Sequence, residues 1–375
     1  MKNVKLSDVI RRAQTKVDKD NTDLIYYVGG EHIESENICV RSRGIIAEST
    51  IGPMFYYGFK AGDFLLVSRN PHLKKAGVVD FDGICSEKTF VLETADSSLL
   101  LPEFLPFVLQ NERFWDYAYQ HRHGSTNTFI NWSTLANYEF ELPDLETQRK
   151  LSEVLWSIND TMESYRKLIS ATDELVKSQF IEMFYGKGYP VKTIGDVIDK
   201  KISRVGKVYE KTDSIQYLDI SSIDNASKTV TGITPYILSD APSRAQYVLK
   251  QDDIMYSTVR PNLQNIAINP YSDNNVVCST GFCVLRCTGV TTGYMWGVIN
   301  STLFTEAMVN QASGANYPAV TDKVVHSYEI PIPPESEQNA YEDLVRQSDK
   351  SKFEMEQALS ELTATYKRII VENLG

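Results

Sequence analysis

Two pairs of stretches concentrate side chains that can read a patterned array of hydrogen-bond donors and acceptors. Arg carries a planar fork of N–H donors, and Asn or Gln sets one donor beside one acceptor. The first pair is Arg69-Asn70-Pro71-His72-Leu73, followed by Lys74 and Lys75, and His121-Arg122-His123-Gly124-Ser125-Thr126-Asn127. The second pair is Val259-Arg260-Pro261-Asn262-Leu263-Gln264 and Gln311-Ala312-Ser313-Gly314-Ala315-Asn316-Tyr317. Such side chains suit base edges, Arg for guanine and Asn or Gln for adenine. The candidates are Arg69, Asn70, Arg122, Ser125, Asn127, Arg260, Asn262, Gln264, Asn316 and Tyr317. Lys74 and Lys75 suit phosphate oxygens better. Taken singly, each reads as well as a solvated loop residue. It is their recurrence in register that makes them a set.

Other chemistries find little support. Asn269-Pro270-Tyr271-Ser272 approaches an amino-methyltransferase motif but lacks its second Pro, so it reads as a turn. There is no phosphate-cradling Gly-rich loop ending in Lys and Ser or Thr. His121-x-His123 has no neighbouring Cys or carboxylate set to complete a metal site. Cys283 and Cys287 could form a metal half-site, but the run around them reads as a β-strand. The expectation is therefore no catalytic centre, no metal and no cofactor. A hydrolase whose triad is invisible in one sequence remains open.

Something must hold the two loop pairs in place. Residues 142–184 contain no Pro or Gly after Pro143. Apolar side chains fall there at Leu151, Val154, Leu155, Ile158, Met162, Tyr165, Leu168, Ile169, Leu175, Val176 and Phe180. Steps of three and four place them on one face of a helix. About 40 residues at about 1.5 Å each predict a rod of roughly 60 Å, and near-heptad spacing predicts a helical partner. The partner lies in the same chain, at residues 332–375. There Pro333, Gln338, Tyr341, Val345, Met355, Leu359, Tyr366 and Ile370 repeat Pro143, Gln148, Leu151, Leu155, Tyr165, Ile169, Val176 and Phe180. The stripe breaks where Ser348 stands for Ile158 and Lys352 for Met162.

The stretches before each helix repeat as well. Asp8-Val9-Ile10 returns as Asp196-Val197-Ile198, and the polar turn with its apolar strand at residues 60–65 returns at 250–255. Helical stretches are predicted at 101–120, broken by Pro, and at 294–311. Most aromatics of the first, Phe104, Phe107, Phe114, Trp115, Tyr117 and Tyr119, read as core. The predicted order is a mixed strand-and-helix unit (1–141), a long helix (142–186), a second such unit (187–331) and a second long helix (332–375). That is an α+β chain with an internal repeat.

Charge agrees with this division. The 375 residues carry a net charge of −11, which by itself argues against nucleic acid as a partner. Residues 141–186 and 331–375, the helical stretches, supply −8 of it, and residues 1–140 and 187–330 stand at −3 and 0. A local basic face is therefore compatible with the total. Five cysteines form an odd set without a disulfide framework, which suggests a reducing, cytoplasmic setting. No signal-peptide pattern opens the sequence, and the apolar run at 99–110 is too short for a bilayer.

The 190-residue repeat and the Leu-Pro-x-Leu-Glu-x-Gln-Arg-Lys step at residues 142–150, with a weaker copy at 332–338, resemble the specificity subunit of type I restriction–modification systems. The second copy departs from the first at Pro334-Glu335-Ser336. The resemblance covers the whole chain. It implies two target-recognition domains, each reading one half of a split, asymmetric site in double-stranded DNA. It also implies an antiparallel coiled coil of the long helices that fixes the spacer. Two methyltransferase subunits would be partners, with nuclease/translocase subunits completing a restriction complex, and no membrane is involved. Two readers on a stiff rod could contact DNA about one helical turn apart, roughly 34–36 Å, or somewhat more. The competing reading is a non-catalytic coiled-coil scaffold that binds proteins only.

Overall fold

The computed structural model describes residues 2–314 and 317–374. The chain forms two compact units, Met1–Arg166 with Gln357–Gly375, and Lys167–Glu356. The division runs through the two long helices, Leu145–Phe184 and Glu335–Leu374, so each unit takes a segment of both.

In the first unit, five strands lie in the order Ile10–Ala13, Thr89–Thr94, Phe64–Val67, Ala76–Val79 and Cys39–Val40. The central strand, Phe64-Leu65-Leu66-Val67, is buried on both faces. Side chains alternate along a strand, so Phe64 and Leu66 enter one apolar core and Leu65 and Val67 another. A second sheet of four strands has the parallel pair Tyr26–Val28 and Gly83–Ser86 at its centre. Lys2–Lys5 pairs antiparallel with Glu139–Leu142, tying the start of the unit to the strand that precedes the first long helix.

The second unit repeats this plan. Ile254–Ser257 lies between Ile266–Ile268 and Phe282–Leu285, and Ile254 and Tyr256 face one core while Met255 faces another. The parallel pair is Ser214–Leu218 with Val276–Ser279. Even the register irregularity of the neighbouring strand recurs, at Phe55/Tyr57 and at Ala245/Tyr247. Each predicted helical stretch is split in two. The helices are Leu105–Leu109 and Glu112–Gln120 in the first unit, and Thr292–Asn300 and Thr302–Gln311 in the second. Asn111, Thr291 and Ser301 cap the last three of these, each accepting a backbone N–H on its side-chain oxygen.

The long helices join their units through a buried glutamine. Gln148 Oε1 accepts from Leu101 N at 2.9 Å, and Nε2 donates to the carbonyls of Leu99 and Pro143, both at 2.8 Å. Gln338 does the same in the second unit, accepting from Thr291 N at 2.8 Å and donating to the Pro333 carbonyl at 2.9 Å. The recurrent Pro-x-x-x-x-Gln spacing thus has a cause. The amide closes back over the first turn and satisfies backbone groups that the chain buries on entering the helix.

In the first unit, Leu155 joins Ile370 and Leu374 in the core beneath Phe104 and Phe107. Met162 receives a hydrogen bond from the Thr363 hydroxyl at 3.5 Å. In the second unit the segments run antiparallel, since Asp173 meets Lys352 at 2.7 Å while the later Phe184 packs on the earlier Tyr341 at 5.6 Å between ring centres. Gly297 admits Phe180 to this core, because a Cβ there would lie 2.5 Å from the ring. The buried face of the first helix also differs from the apolar stripe. It runs Gln148, Ser152, Leu155, Asn159, Met162, whereas Val154, Leu168 and Leu175 are exposed. Two of those buried positions are small polar residues that apolar periodicity cannot detect.

Candidate nucleic-acid interface

Each strand that lies at the heart of a unit delivers the first loop of a pair. After Phe64–Val67 the chain turns through Asn70 into a single 3-10 turn, Pro71–Leu73, and leaves it at Lys74. After Ile254–Ser257 it turns through Arg260 into Pro261–Leu263 and leaves it at Gln264. All four flanking residues are left-handed, with φ of 50° at Asn70, 47° at Lys74, 51° at Arg260 and 50° at Gln264. Non-glycine residues adopt this region at a cost of order 1 kcal/mol or more each, so the loop is held by its surroundings.

The hold comes from the second loop. In the first unit, Asn70 N donates to the Thr128 carbonyl at 2.7 Å, and His123 and Phe129 exchange backbone hydrogen bonds at 2.7 and 2.9 Å. In the second unit, Arg260 N donates to the Pro318 carbonyl at 2.7 Å, and Ser313 and Ala319 exchange bonds at 3.0 and 2.9 Å. The second loop turns on a glycine each time, with φ of 86° at Gly124 and 109° at Gly314. A Cβ at Gly314 would stand 2.9 Å from the Tyr317 carbonyl oxygen, so glycine is required there on both counts. Two loops far apart in sequence therefore form one surface in each unit, built identically.

The expected residues divide on this frame. Arg69 is exposed and its backbone bridges to Phe129, and Ser125 and Asn127 are exposed on the second loop. Arg122 lies over the Tyr119 ring at 3.7 Å and donates to the Tyr119 carbonyl at 2.6 Å. In the second unit Asn262 and Tyr317 are exposed, and the Arg260 guanidinium sits 4.7 Å above the Tyr317 ring centre. Asn316 falls outside the described residues.

Three expected contacts point elsewhere. Lys74 Nζ is bound by Glu112 at 2.6 Å and by Glu36 at 3.2 Å. Burial works against its ammonium, but these hydrogen bonds outweigh burial and raise its pKa. Lys75 Nζ donates to the Gly30 carbonyl at 2.6 Å. Gln264 donates to the Thr305 hydroxyl at 2.7 Å and accepts from Lys228 at 3.2 Å. Any role of the two lysines at phosphate must compete with these bonds. Each lies just past the 3-10 turn, where the chain re-enters the body of its unit.

Sequence reading also missed neighbours. Of the aromatics expected mostly in the core, Phe104, Phe107, Phe114 and Trp115 are buried, whereas Tyr119 is 44% exposed beneath Arg122. His72 packs edge-on against Tyr119 at 6.4 Å. A sign was available: Tyr119 sits in the last turn of its helix, immediately before the His- and Arg-rich loop. His121 stacks on Tyr117 at 4.1 Å. No cluster of three metal-ligating side chains occurs among the described residues. Cys283 lies within the strand Phe282–Leu285, where burial raises its thiol pKa, and its Sγ is 3.4 Å from His326 Nε2. Among the described residues, no helix is long and apolar enough to cross a membrane.

Three comparisons with known proteins bear on this chain. Residues 186–363 match the family model described as "Type I restriction modification DNA specificity domain". These residues, just under half of the chain, are thus similar to that specificity domain. The matched span covers both loops of the second pair. No curated protein is significantly similar in sequence. Among solved structures, the chain is similar to one from a study of "complex assembly and conformational transition of the type I R-M system". It has 17% identity and a TM-score of 0.59, and the match covers 99% of this chain and 97% of that one. It is similar also to the type I restriction-modification system S subunit from M. genitalium. There identity is 13% and the TM-score 0.56, over 100% of this chain and 96% of that one. Both likenesses are of fold. They extend over the first unit as well, which lies outside the residues matched by the specificity-domain model.

Proposed function

We propose that this chain is a DNA specificity subunit of a type I restriction–modification system and reads a bipartite, asymmetric sequence in double-stranded DNA, one half-site by each unit's loop pair. The observation that carries the reading is the loop frame itself. The same left-handed turns, the same cross-loop hydrogen bonds and the same glycine hinge recur 190 residues apart, while the side chains displayed on them differ. A repeated frame with changed side chains is what two readers of different sequences require. On this reading Arg69, Asn70, Arg122, Ser125 and Asn127 serve one half-site. Arg260, Asn262, Asn316 and Tyr317 serve the other. Lys74, Lys75 and Gln264 help to set the loops.

The two long helices act as the spacer and dock methyltransferase subunits, and the chain has no catalytic centre of its own. Inserting a few residues within residues 157–171 should lengthen the gap of the methylated site and leave both half-sites unchanged. Methylome sequencing of a host carrying the altered gene tests this. Altered half-site bases with a constant gap would refute it. The scaffold reading predicts no sequence-specific gel shift by the assembled complex.

A further inference from the structure

Matched loop positions of the two units do not keep their charge. Arg69 corresponds to Val259, Asn70 to Arg260, Lys74 to Gln264 and Arg122 to Ala312. Two readers of different sequences require this, because base edges differ between half-sites. Phosphates do not differ. A residue that contacts phosphate should therefore carry the same charge in both units.

Lys16 and Arg204 do so. Thr15-Lys16-Val17 and Ser203-Arg204-Val205 are related by the same 188-residue interval as Asp8-Val9-Ile10 and Asp196-Val197-Ile198. The fold places them alike. Gly58 N donates to the Thr15 carbonyl at 2.8 Å, and Val248 N to the Ser203 carbonyl at 2.9 Å. Lys16 bridges to Tyr57 and Arg204 to Tyr247, on the two strands that share the register irregularity. Both side chains are exposed and lie over a tyrosine. Lys16 Nζ is 5.9 Å from the Tyr56 ring centre, and the Arg204 guanidinium is 5.5 Å from that of Tyr247. Attraction to a ring face restrains a cation without a carboxylate. Among the described residues, no carboxylate pairs with either.

Each cation stands beside its unit's loop pair. In the first unit Glu87 N donates to the Met54 carbonyl at 2.9 Å, and Ser68 N, one residue before Arg69, donates to the Lys88 carbonyl at 2.8 Å. The Tyr56 hydroxyl donates to Glu87 at 3.4 Å. In the second unit Thr280 N donates to the Arg244 carbonyl at 2.9 Å, and Thr258 N, two residues before Arg260, donates to the Gly281 carbonyl at 3.0 Å. One short turn thus separates the cation's strand from the loop, about two strand spacings or roughly 10 Å. A major groove about 12 Å wide brings its phosphate rim within that reach. Other kept cations fit less well. Arg12, matched by Lys200, is half-buried, and Lys19, matched by Lys207, is bound by Asp20 at 2.7 Å. Lys60 and Lys250 precede the central strand, at the end away from the loop. Granted the proposed half-site reading, on which this rests, we infer that Lys16 and Arg204 each contact a DNA phosphate beside their unit's half-site, holding the loop pair in register without reading a base.

The test is a binding titration across a series of salt concentrations, with the intact chain assembled with its modification partner, on a duplex carrying the methylated site and on an unrelated duplex. Lys16→Gln and Arg204→Gln should each reduce the slope of log affinity against log salt by about 0.9, and together by about 1.8. Each should weaken binding to both duplexes alike and leave the methylated motif unchanged. Lys16→Arg and Arg204→Lys should keep the wild-type slope. Melting temperatures should not move, since both side chains are exposed. A slope unchanged by either glutamine variant overturns the inference. So does a motif altered by either, because the residue then reads a base. If the wild-type complex shows no preference for its methylated site over unrelated DNA, it is the half-site reading that falls.

Discussion

Replacing Gln148 by Ala removes one side chain and strands several backbone groups at once. The glutamine is fully buried and accepts from Leu101 N while donating to the Leu99 and Pro143 carbonyls. A buried donor or acceptor left unmatched costs about 1–3 kcal/mol. Carbonyls tolerate the loss better than an N–H, so the three together come to about 3–5 kcal/mol. Domains hold only about 5–15 kcal/mol in all. Gln148→Glu should be no milder at neutral pH, because it keeps the acceptor, loses both donations and buries a charge. The readout is amide hydrogen exchange followed by mass spectrometry on the whole chain. About 3 kcal/mol corresponds to exchange faster by roughly a hundredfold, and it should be concentrated at residues 99–110. Gln338→Ala should show the same at residues 291–300, more weakly, since two hydrogen bonds are lost there. If exchange at these residues is unchanged and stability moves by less than about 0.5 kcal/mol, the glutamines do not hold the helices to their units.

Arg286 grips Asp253 through two hydrogen bonds of 2.8 and 2.7 Å, with Asp253 buried. Arg286→Met should cost about 3–5 kcal/mol by leaving a buried carboxylate unpaired, and Arg286→Met with Asp253→Asn should recover much of it in denaturant unfolding. Lys228 is pushed down to about 8 by burial, with Lys177 nearby adding to the effect. Its folded pKa thus lies below its unfolded one. The burden of its charge is fully present below pH 8 and is relieved as pH rises from about 8 toward 10.5. The melting temperature of the wild type should gain relative to Lys228→Met across that window, and parallel profiles would contradict it. Gly314→Ala should weaken sequence-specific DNA binding by the assembled complex more than Gly124→Ala. The Cβ contact is 2.9 Å against 3.2 Å and φ is further from ordinary values, and binding titrations with both variants compare them.

How much was legible in the sequence follows from the range of each signal. Helix entry is local, and the Pro143/Gln148 and Pro333/Gln338 spacing marked both long helices within three residues of their observed starts at Leu145 and Glu335. Strand burial is local too, so Phe64–Val67 and Ile254–Ser257 could be found from apolar runs. The repeat was visible because both copies solve the same packing problem with similar residues. Loop chemistry was visible as composition, which is why Arg69, Arg122, Arg260 and Tyr317 were singled out.

Tertiary structure decided the rest. Nothing local says that Lys74 is claimed by Glu36 and Glu112, or Gln264 by Lys228 and Thr305, because those partners lie tens of residues away. Apolar periodicity chose Val154, Leu168 and Leu175 for the seam, yet Ser152 and Asn159 occupy it. A helix shows which residues share a face, but only the packed neighbours determine which face is covered. Tyr119 illustrates the same limit at a helix end, where one turn separates the core from the surface. Residue types establish what a side chain can bind. The chain's long-range contacts determine which of those bonds are already made, and so which groups remain for a partner.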